Sequence, residues 1–196
     1  MKPIDDKFAA YYDRLIRPFE RLYLANARRE TIAELPQNGT LLEVGAGTGA
    51  NFEHYPPCEL AIASELSSGM LHYAREKTAT ILLTQADAQR LPFPPNQFDA
   101  AFATLVFCSI PDPVMAFREL IRVVKPGGRV VLFEHVRPPG ILGNAFDLFT
   151  RLTVKMIDDN FNRRTAETAE MSGLKIVEVR SKALGIFNLI VSQVEK

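Results

Sequence analysis

The chain is poor in the residues that build metal and disulfide centres. It has two cysteines, Cys58 and Cys108, no Cys-x-x-Cys pair, and three histidines without metal-ligand spacing. A zinc site and a disulfide scaffold are therefore disfavoured, and this usage suits a reducing compartment. Net charge is also lacking, since 23 Lys and Arg balance 23 Asp and Glu. Proteins that track nucleic-acid backbones bind mostly by electrostatics, so no nucleic-acid partner is expected. No apolar run approaches the roughly 18 residues of a membrane span. Met1-Lys2-Pro3-Ile4-Asp5-Asp6 is not followed by the apolar stretch of a signal peptide. The expected location is the cytoplasm, with room for a peripheral membrane contact.

What is present is an alternation of short elements. The first 35 residues read as helical, with Ile4, Phe8, Tyr11 or Tyr12 and Leu15 at helical spacing and Pro18 as a break. Pro36-Gln37-Asn38-Gly39 closes this segment as a turn. Strands are predicted at Thr40–Val44, Leu60–Ser64, Thr80–Thr84, Phe98–Ala103 and Arg129–Glu134. Helices are predicted from Ser67 to Lys77 and from Asp112 or Pro113 to about Val124. Beyond Arg137-Pro138-Pro139-Gly140 the pattern changes to an apolar helix over Ile141–Ile157, then a helix over Thr165–Ser172. Leu174–Ser181 and Ile186–Val194 read as closing strands. Alternating strands and helices imply an α/β fold with a mostly parallel sheet covered on both faces. The expected organisation is an N-terminal helical cap over residues 1–38 and a binding domain over 39–196, with a helical insertion at about 141–172.

In such sheets, ligands bind beyond the carboxyl ends of the strands. After the first strand stands Gly45-Ala46-Gly47-Thr48-Gly49, where alternate glycines allow a sharp turn and close backbone approach. After the second stands Glu65, able to accept both hydroxyls of a ribose, followed by Leu66. After the third stands Asp87-Ala88, where a carboxylate can accept from an adenine amino group and a backbone N–H can serve a ring nitrogen. Each feature alone also fits a plain turn, a solvated glutamate or a helix cap; three aligned strand ends together point to a nucleoside cofactor. The loop reads GxGxG where the dinucleotide fingerprint reads GxGxxG, which favours S-adenosyl-L-methionine (SAM) over NAD. Glu43, just before the loop, supplies negative charge on the side where a sulfonium would lie.

Leu41-Leu42-Glu43-Val44-Gly45-Ala46-Gly47-Thr48-Gly49 resembles motif I of class I SAM-dependent methyltransferases. Gln85-Ala86-Asp87-Ala88-Gln89-Arg90-Leu91-Pro92-Phe93 with Phe98-Asp99, and Arg122-Val123-Val124-Lys125-Pro126-Gly127-Gly128-Arg129, resemble two further segments of the methyltransferase type 11 domain. The similarity runs from about Leu41 to Glu134. It implies a Rossmann-like seven-stranded sheet with an antiparallel last pair, and SAM as cofactor with S-adenosyl-L-homocysteine as product. It also implies that Gly45, Gly47 and Gly49 line the methionine part, that Glu65 holds the ribose, and that Asp87 and Ala88 hold the adenine. Ala103 and Thr104 would pass beside the transferable methyl group.

These motifs leave the acceptor open. Tyr12-Asp13-Arg14 resembles the entry helix of the ubiquinone/menaquinone-type branch, and Tyr11, Tyr12 and Tyr23 could close over SAM or simply pack. Glu134-His135-Val136-Arg137 and Asn160-Phe161-Asn162-Arg163-Arg164-Thr165 resemble segments of bacterial phospholipid N-methyltransferases. A lipid acceptor needs an apolar entrance, which Ile141, Leu142, Phe146, Phe149 and Leu152 could wall, and a phosphate site, which Arg137, Arg151, Lys155, Arg163 and Arg164 could supply. Equally, that helix could pack on the sheet with its charges solvated. His135, at a strand end, and Tyr12 are candidate catalytic groups. Methyl transfer from an activated sulfonium places little demand on a general base, so positioning and desolvation carry more weight. The expected activity is methyl transfer to a hydrophobic small molecule or lipid, such as a phospholipid head-group amine. Quinone-ring C-methylation, methylation of another small thiol or amine, SAM binding without catalysis, and nicotinamide-dependent oxidoreduction are the rivals.

Overall fold

The computed structural model describes residues 24–137, 143 and 163–196. The expected helices before Leu24 and over 141–157, with Tyr11, Tyr12 and Tyr23, lie outside the described residues.

Seven strands form one sheet in the order β3-β2-β1-β4-β5-β7-β6. They are β1 (Thr40–Val44), β2 (Leu60–Glu65), β3 (Leu82–Gln85), β4 (Phe98–Thr104), β5 (Val124–His135), β6 (Leu174–Lys182) and β7 (Phe187–Val194). β1 to β5 pair in parallel, and β7 lies antiparallel between β5 and β6. The expected α/β class and seven-stranded, mostly parallel sheet are thus observed. β1 runs as expected. β5 begins earlier, at Val124, because Phe98 pairs with Val124 and the register then shifts, so that Lys125-Pro126-Gly127-Gly128 loops out within the strand.

Strand alternation divides the core in two. Leu42, Val44, Ile62, Ala101, Ala103, Val130, Leu132 and Ile190 face one side. There they meet α3 (Pro113–Val123), through Ala116, Phe117 and Leu120, and α4 (Thr165–Met171), through Ala169. Leu41, Ala100, Phe102, Val131, Phe133 and Leu189 face the other side, against Ala27 and Ile32 of α1 (Ala25–Ala33). α2 (Ser68–Arg75) packs on that same side through Ala74, near Ala63.

Two helices start where their caps dictate. The Ser67 side chain accepts from Met70 N–H, and Asp112 accepts from Met115 N–H with Pro113 as the first helical residue. α1 has no side-chain N-cap. It is held by burial and by ion pairs: Glu30 with Lys182, and Glu34 with Arg129 and Arg180.

Candidate active site

The carboxyl ends of β1 to β4 open onto a cavity of about 140 Å³. Its lining includes Gly45, Ala46, Gly47, Thr48, Glu65, Leu66, Asp87, Ala88, Thr104 and Val106. The three strand-end signals therefore converge on one space. The neighbour order β3, β2, β1, β4 sets them out in a row: Asp87, Glu65, the glycine loop, Thr104.

Local geometry explains why these residues occupy the loop. Gly45 has φ +70°, and a Cβ there would lie 2.5 Å from both Val106 methyls. Gly47 has φ +57°, and a Cβ there would meet nothing within 4 Å. Gly45 is thus glycine for packing, whereas Gly47 borders open space. Glu65 accepts from Gly47 N–H and from Ser67 N–H, both at 2.9 Å. Its carboxylate ties the glycine loop to the turn before α2 and still lines the cavity. Asp87 accepts from the backbone and side chain of Gln89.

Three expected residues sit elsewhere. Gly49 and Ala103 do not line the cavity; Ala103 is fully buried in the core. Glu43, only 1% exposed, points under α1 rather than into the cavity, because strand alternation puts it on the side of Leu41. Its carboxylate accepts from Asn51 Nδ2 and from the Tyr55 hydroxyl. Burial pushes the Glu43 carboxyl up, while Tyr55, Asn51 and the Arg28 charge pull it down. Burial and the adjacent Glu43 push the Tyr55 phenol well up.

The same parity decides the end of β5. Phe133 and His135 share a face, and His135 packs on the Phe187 ring, with centroids 4.2 Å apart. It lines neither this cavity nor the second one described below. Burial pulls its imidazole down to about 4, so it is neutral near pH 7. The expectation that His135 faces the site is corrected: it packs against Phe187 and lines neither cavity, and its neighbour Glu134, on the opposite face of β5, is a buried support rather than part of the lining. Glu134 is fully buried, and its Oε1 accepts from Val106 N–H at 3.0 Å and Phe107 N–H at 3.1 Å. Its Oε2 has no hydrogen-bond partner among the described residues, and burial pushes the carboxyl up to about 7 against the pull of the Val106, Phe107 and Cys108 N–H groups and of the Arg163 charge. The clamp holds a loop that turns at Leu105, a non-glycine residue with φ +60°. That loop carries Val106 against Gly45.

A second cavity, about 290 Å³, lies beyond β5. Arg137, Arg163, Arg164, Thr165, Ser181 and Asn188 help line it. Arg163 Nη2 donates to Ile110 O at 2.6 Å, and Ile110 lines the first cavity. One guanidinium thus touches both walls. Arg137 N–H donates to Arg163 O at 3.2 Å, so the chain leaves the described fold and returns to it at adjoining points.

Sequence reasoning missed Arg28 in the cavity wall, and missed Asn51, Tyr55 and Glu134, which hold that wall through buried hydrogen bonds. An acidic residue on a buried strand, Glu43, was the available signal for Asn51 and Tyr55, since a buried carboxylate needs donors. Nothing local signals Arg28.

A Rossmann-like seven-stranded sheet with β7 antiparallel between β5 and β6, and a cavity at the carboxyl ends of its parallel strands, is the fold of SAM-dependent methyltransferases. Residues 42–132 match the family model described as a methyltransferase domain, and this segment is such a domain. A ubiquinone/menaquinone biosynthesis C-methyltransferase of Saccharophagus degradans is 30% identical over 121 residues, 56% of this chain and 49% of that protein. A phosphatidylethanolamine N-methyltransferase of Cereibacter sphaeroides is 35% identical over 115 residues, 55% of this chain and 57% of that protein. The chain spans about half the length of the curated relatives it matches. Among solved structures, the complex of the Trm112 methyltransferase activator of Haloferax volcanii with a methyltransferase matches with a TM-score of 0.79 at 18% identity, covering 98% of this chain and 100% of that one. Phosphoethanolamine N-methyltransferase 2 of Haemonchus contortus, in complex with SAM, matches with a TM-score of 0.72 at 18% identity, covering 89% of this chain and 53% of that one. At these identities, the solved structures establish the fold.

Proposed function

We propose that the protein is a SAM-dependent methyltransferase whose acceptor is a hydrophobic small molecule or lipid carrying a phosphate, of the phosphatidylethanolamine type. When bound, SAM supplies a methyl group on a sulfonium, a leaving group that needs no further activation. The residues at the strand ends fit it. The Glu65 carboxylate would accept from the ribose hydroxyls, Asp87 would accept from the adenine amino group, and Ala88 N–H would serve a ring nitrogen. Gly47 would give the amino-acid end room against the backbone, and Leu66 and Val106 would exclude water. Thr104, at the end of β4, would stand beside the methyl group.

One observation carries the choice of acceptor: a cavity lined by three arginines abuts the cofactor cavity through Arg163. Arginine forks suit phosphate oxygens. The matched phosphatidylethanolamine N-methyltransferase acts on a head group of this kind, and a peripheral membrane contact would bring such an acceptor to the site. No described helix is long and apolar enough to cross a membrane. His135, buried and weakly basic, is not required as a base if the acceptor amine arrives unprotonated. The similarity to quinone C-methyltransferases favours a second reading, methylation of a quinone-type ring.

Methyl-labelled SAM offered with phosphatidylethanolamine vesicles, demethylmenaquinone and soluble amines tests both readings. Label in mono- or dimethylated phosphatidylethanolamine is expected. Label in the quinone alone would replace the first reading with the second, and label in neither would overturn the lipid acceptor.

A further inference from the structure

Arg28 belongs to a helix that precedes the first strand, outside the segment matched as a methyltransferase domain. Yet it is only 8% exposed and lines the cofactor cavity. Burying a guanidinium is costly unless several polar groups receive it. Here Nη1 donates to Asn51 Oδ1 at 3.0 Å and to Thr104 Oγ1 at 2.5 Å. Asn51 Nδ2 in turn donates to Thr104 Oγ1 at 2.9 Å and to Glu43 Oε1. Side chains from β1, the turn after the glycine loop, and β4 thus fix the guanidinium in one place. Arg28 is the one cationic residue among the described residues lining this cavity.

The position has a chemical sense along the row of strand ends. Glu65 and Asp87, at the β2 and β3 end, accept hydrogen bonds. Arg28, at the β1 and β4 end, donates them. SAM has the matching polarity, with hydroxyl and amino donors on its adenosine and a carboxylate at the far end of its methionine. We infer that Arg28 receives the carboxylate of the cofactor's amino-acid end, which makes α1 a part of the cofactor site. The inference rests on the SAM reading given above. A guanidinium held in place beside a carboxylate makes charge-assisted hydrogen bonds in a planar geometry that a lysine does not reproduce. Cofactor binding would then also favour the docked α1, because only the docked helix brings Arg28 to the cavity.

The test compares two ligands that differ in this group. S-adenosylhomocysteine carries the amino-acid end, and 5′-methylthioadenosine lacks it. Calorimetry with wild type, Arg28→Met and Arg28→Lys should show homocysteine-ligand affinity falling about 10- to 100-fold in the methionine variant. It should fall by a smaller factor in the lysine variant, with thioadenosine affinity unchanged in both. An equal loss for both ligands, or no loss for either, would overturn the inference and leave the SAM reading standing. If wild type binds neither ligand, both fall. Should Arg28→Met fail to fold, the lysine variant decides alone on the same ligand difference.

Discussion

Glu65 and Glu134 are chemically the same residue in equivalent places. Glu65 is the last residue of β2 and Glu134 the next to last of β5, and each carboxylate accepts from two backbone N–H groups of nearby loops. They differ in access to solvent. Glu65 lines the cavity, whereas Glu134 is fully buried with one oxygen unpartnered among the described residues. The first faces open space, so its carboxylate can take further donors, as the proposed ribose contact requires. The second does not, so its hydrogen bonds serve architecture, and burial alone pushes its carboxyl up to about 7. A strand-end carboxylate is thus a binding group or a structural clamp according to what covers it.

The comparison can be broken by a pair of truncations. Glu134→Ala leaves two loop N–H groups without an acceptor in a dry setting and should cost about 3 kcal/mol in urea unfolding. Glu65→Ala should cost under about 1 kcal/mol in the same assay, because water replaces the carboxylate there. It should nevertheless weaken S-adenosylhomocysteine by about 100-fold in calorimetry. Similar stability losses for the two variants would erase the distinction.

A pH titration sharpens it. The Glu134 carboxyl ionises near 7 when folded and near 4.5 when unfolded. Between these values the folded state keeps a proton that the unfolded state releases, so stability falls as pH rises from 4.5 to 7, by on the order of 3 kcal/mol. His135 acts oppositely. Its imidazole protonates near 4 when folded and near 6.5 when unfolded, so stability rises as pH goes from 4 to 6.5. In the wild type the two slopes oppose over the shared range. Glu134→Gln removes one opposing slope, so the urea midpoint should grow more from pH 4 to 6.5 than it does in the wild type. A variant as flat as wild type would show that Glu134 does not titrate there.

Two glycines extend the same contrast between covered and open positions. Gly45→Ala adds a methyl against Val106 in a left-handed backbone and should cost about 2 kcal/mol, partly restored by Val106→Ala. Gly47→Ala carries only the backbone cost, about 1 kcal/mol, and should instead lower cofactor affinity. Thermal unfolding with and without S-adenosylhomocysteine separates the two. The smallest effect is expected at Arg164, whose ion pair with Glu167 is solvent-exposed. Arg164→Ala should change stability by less than about 0.5 kcal/mol. A raised KM for a phosphate-bearing acceptor with an unchanged KM for SAM would support the anion-binding role of the second cavity.

The two rims also differ in how far they could be read from the chain. The β1 to β3 rim is written in short contiguous stretches. A glycine loop follows its own strand, Glu65 and Ser67 are two residues apart, and β1 runs as periodicity predicts. The β4 to β5 rim depends on parity and distance. Expecting His135 to face the site overlooks parity, since successive residues of a strand take opposite faces, and its face is the one packed on Phe187. Arg28 meets Thr104 across 76 positions of chain, and Glu134 meets Val106 across 28. No local pattern carries such pairings, because tertiary packing creates them.

The backbone hydrogen bond from Arg137 to Arg163 has a consequence for how such enzymes diversify. Residues 137 and 163, which bracket 25 positions of the sequence, meet beside the second cavity, so the sheet presents two adjoining ends there. A lineage could therefore exchange this stretch as a cassette and sample new acceptors while the nucleoside groove on the far rim stays untouched.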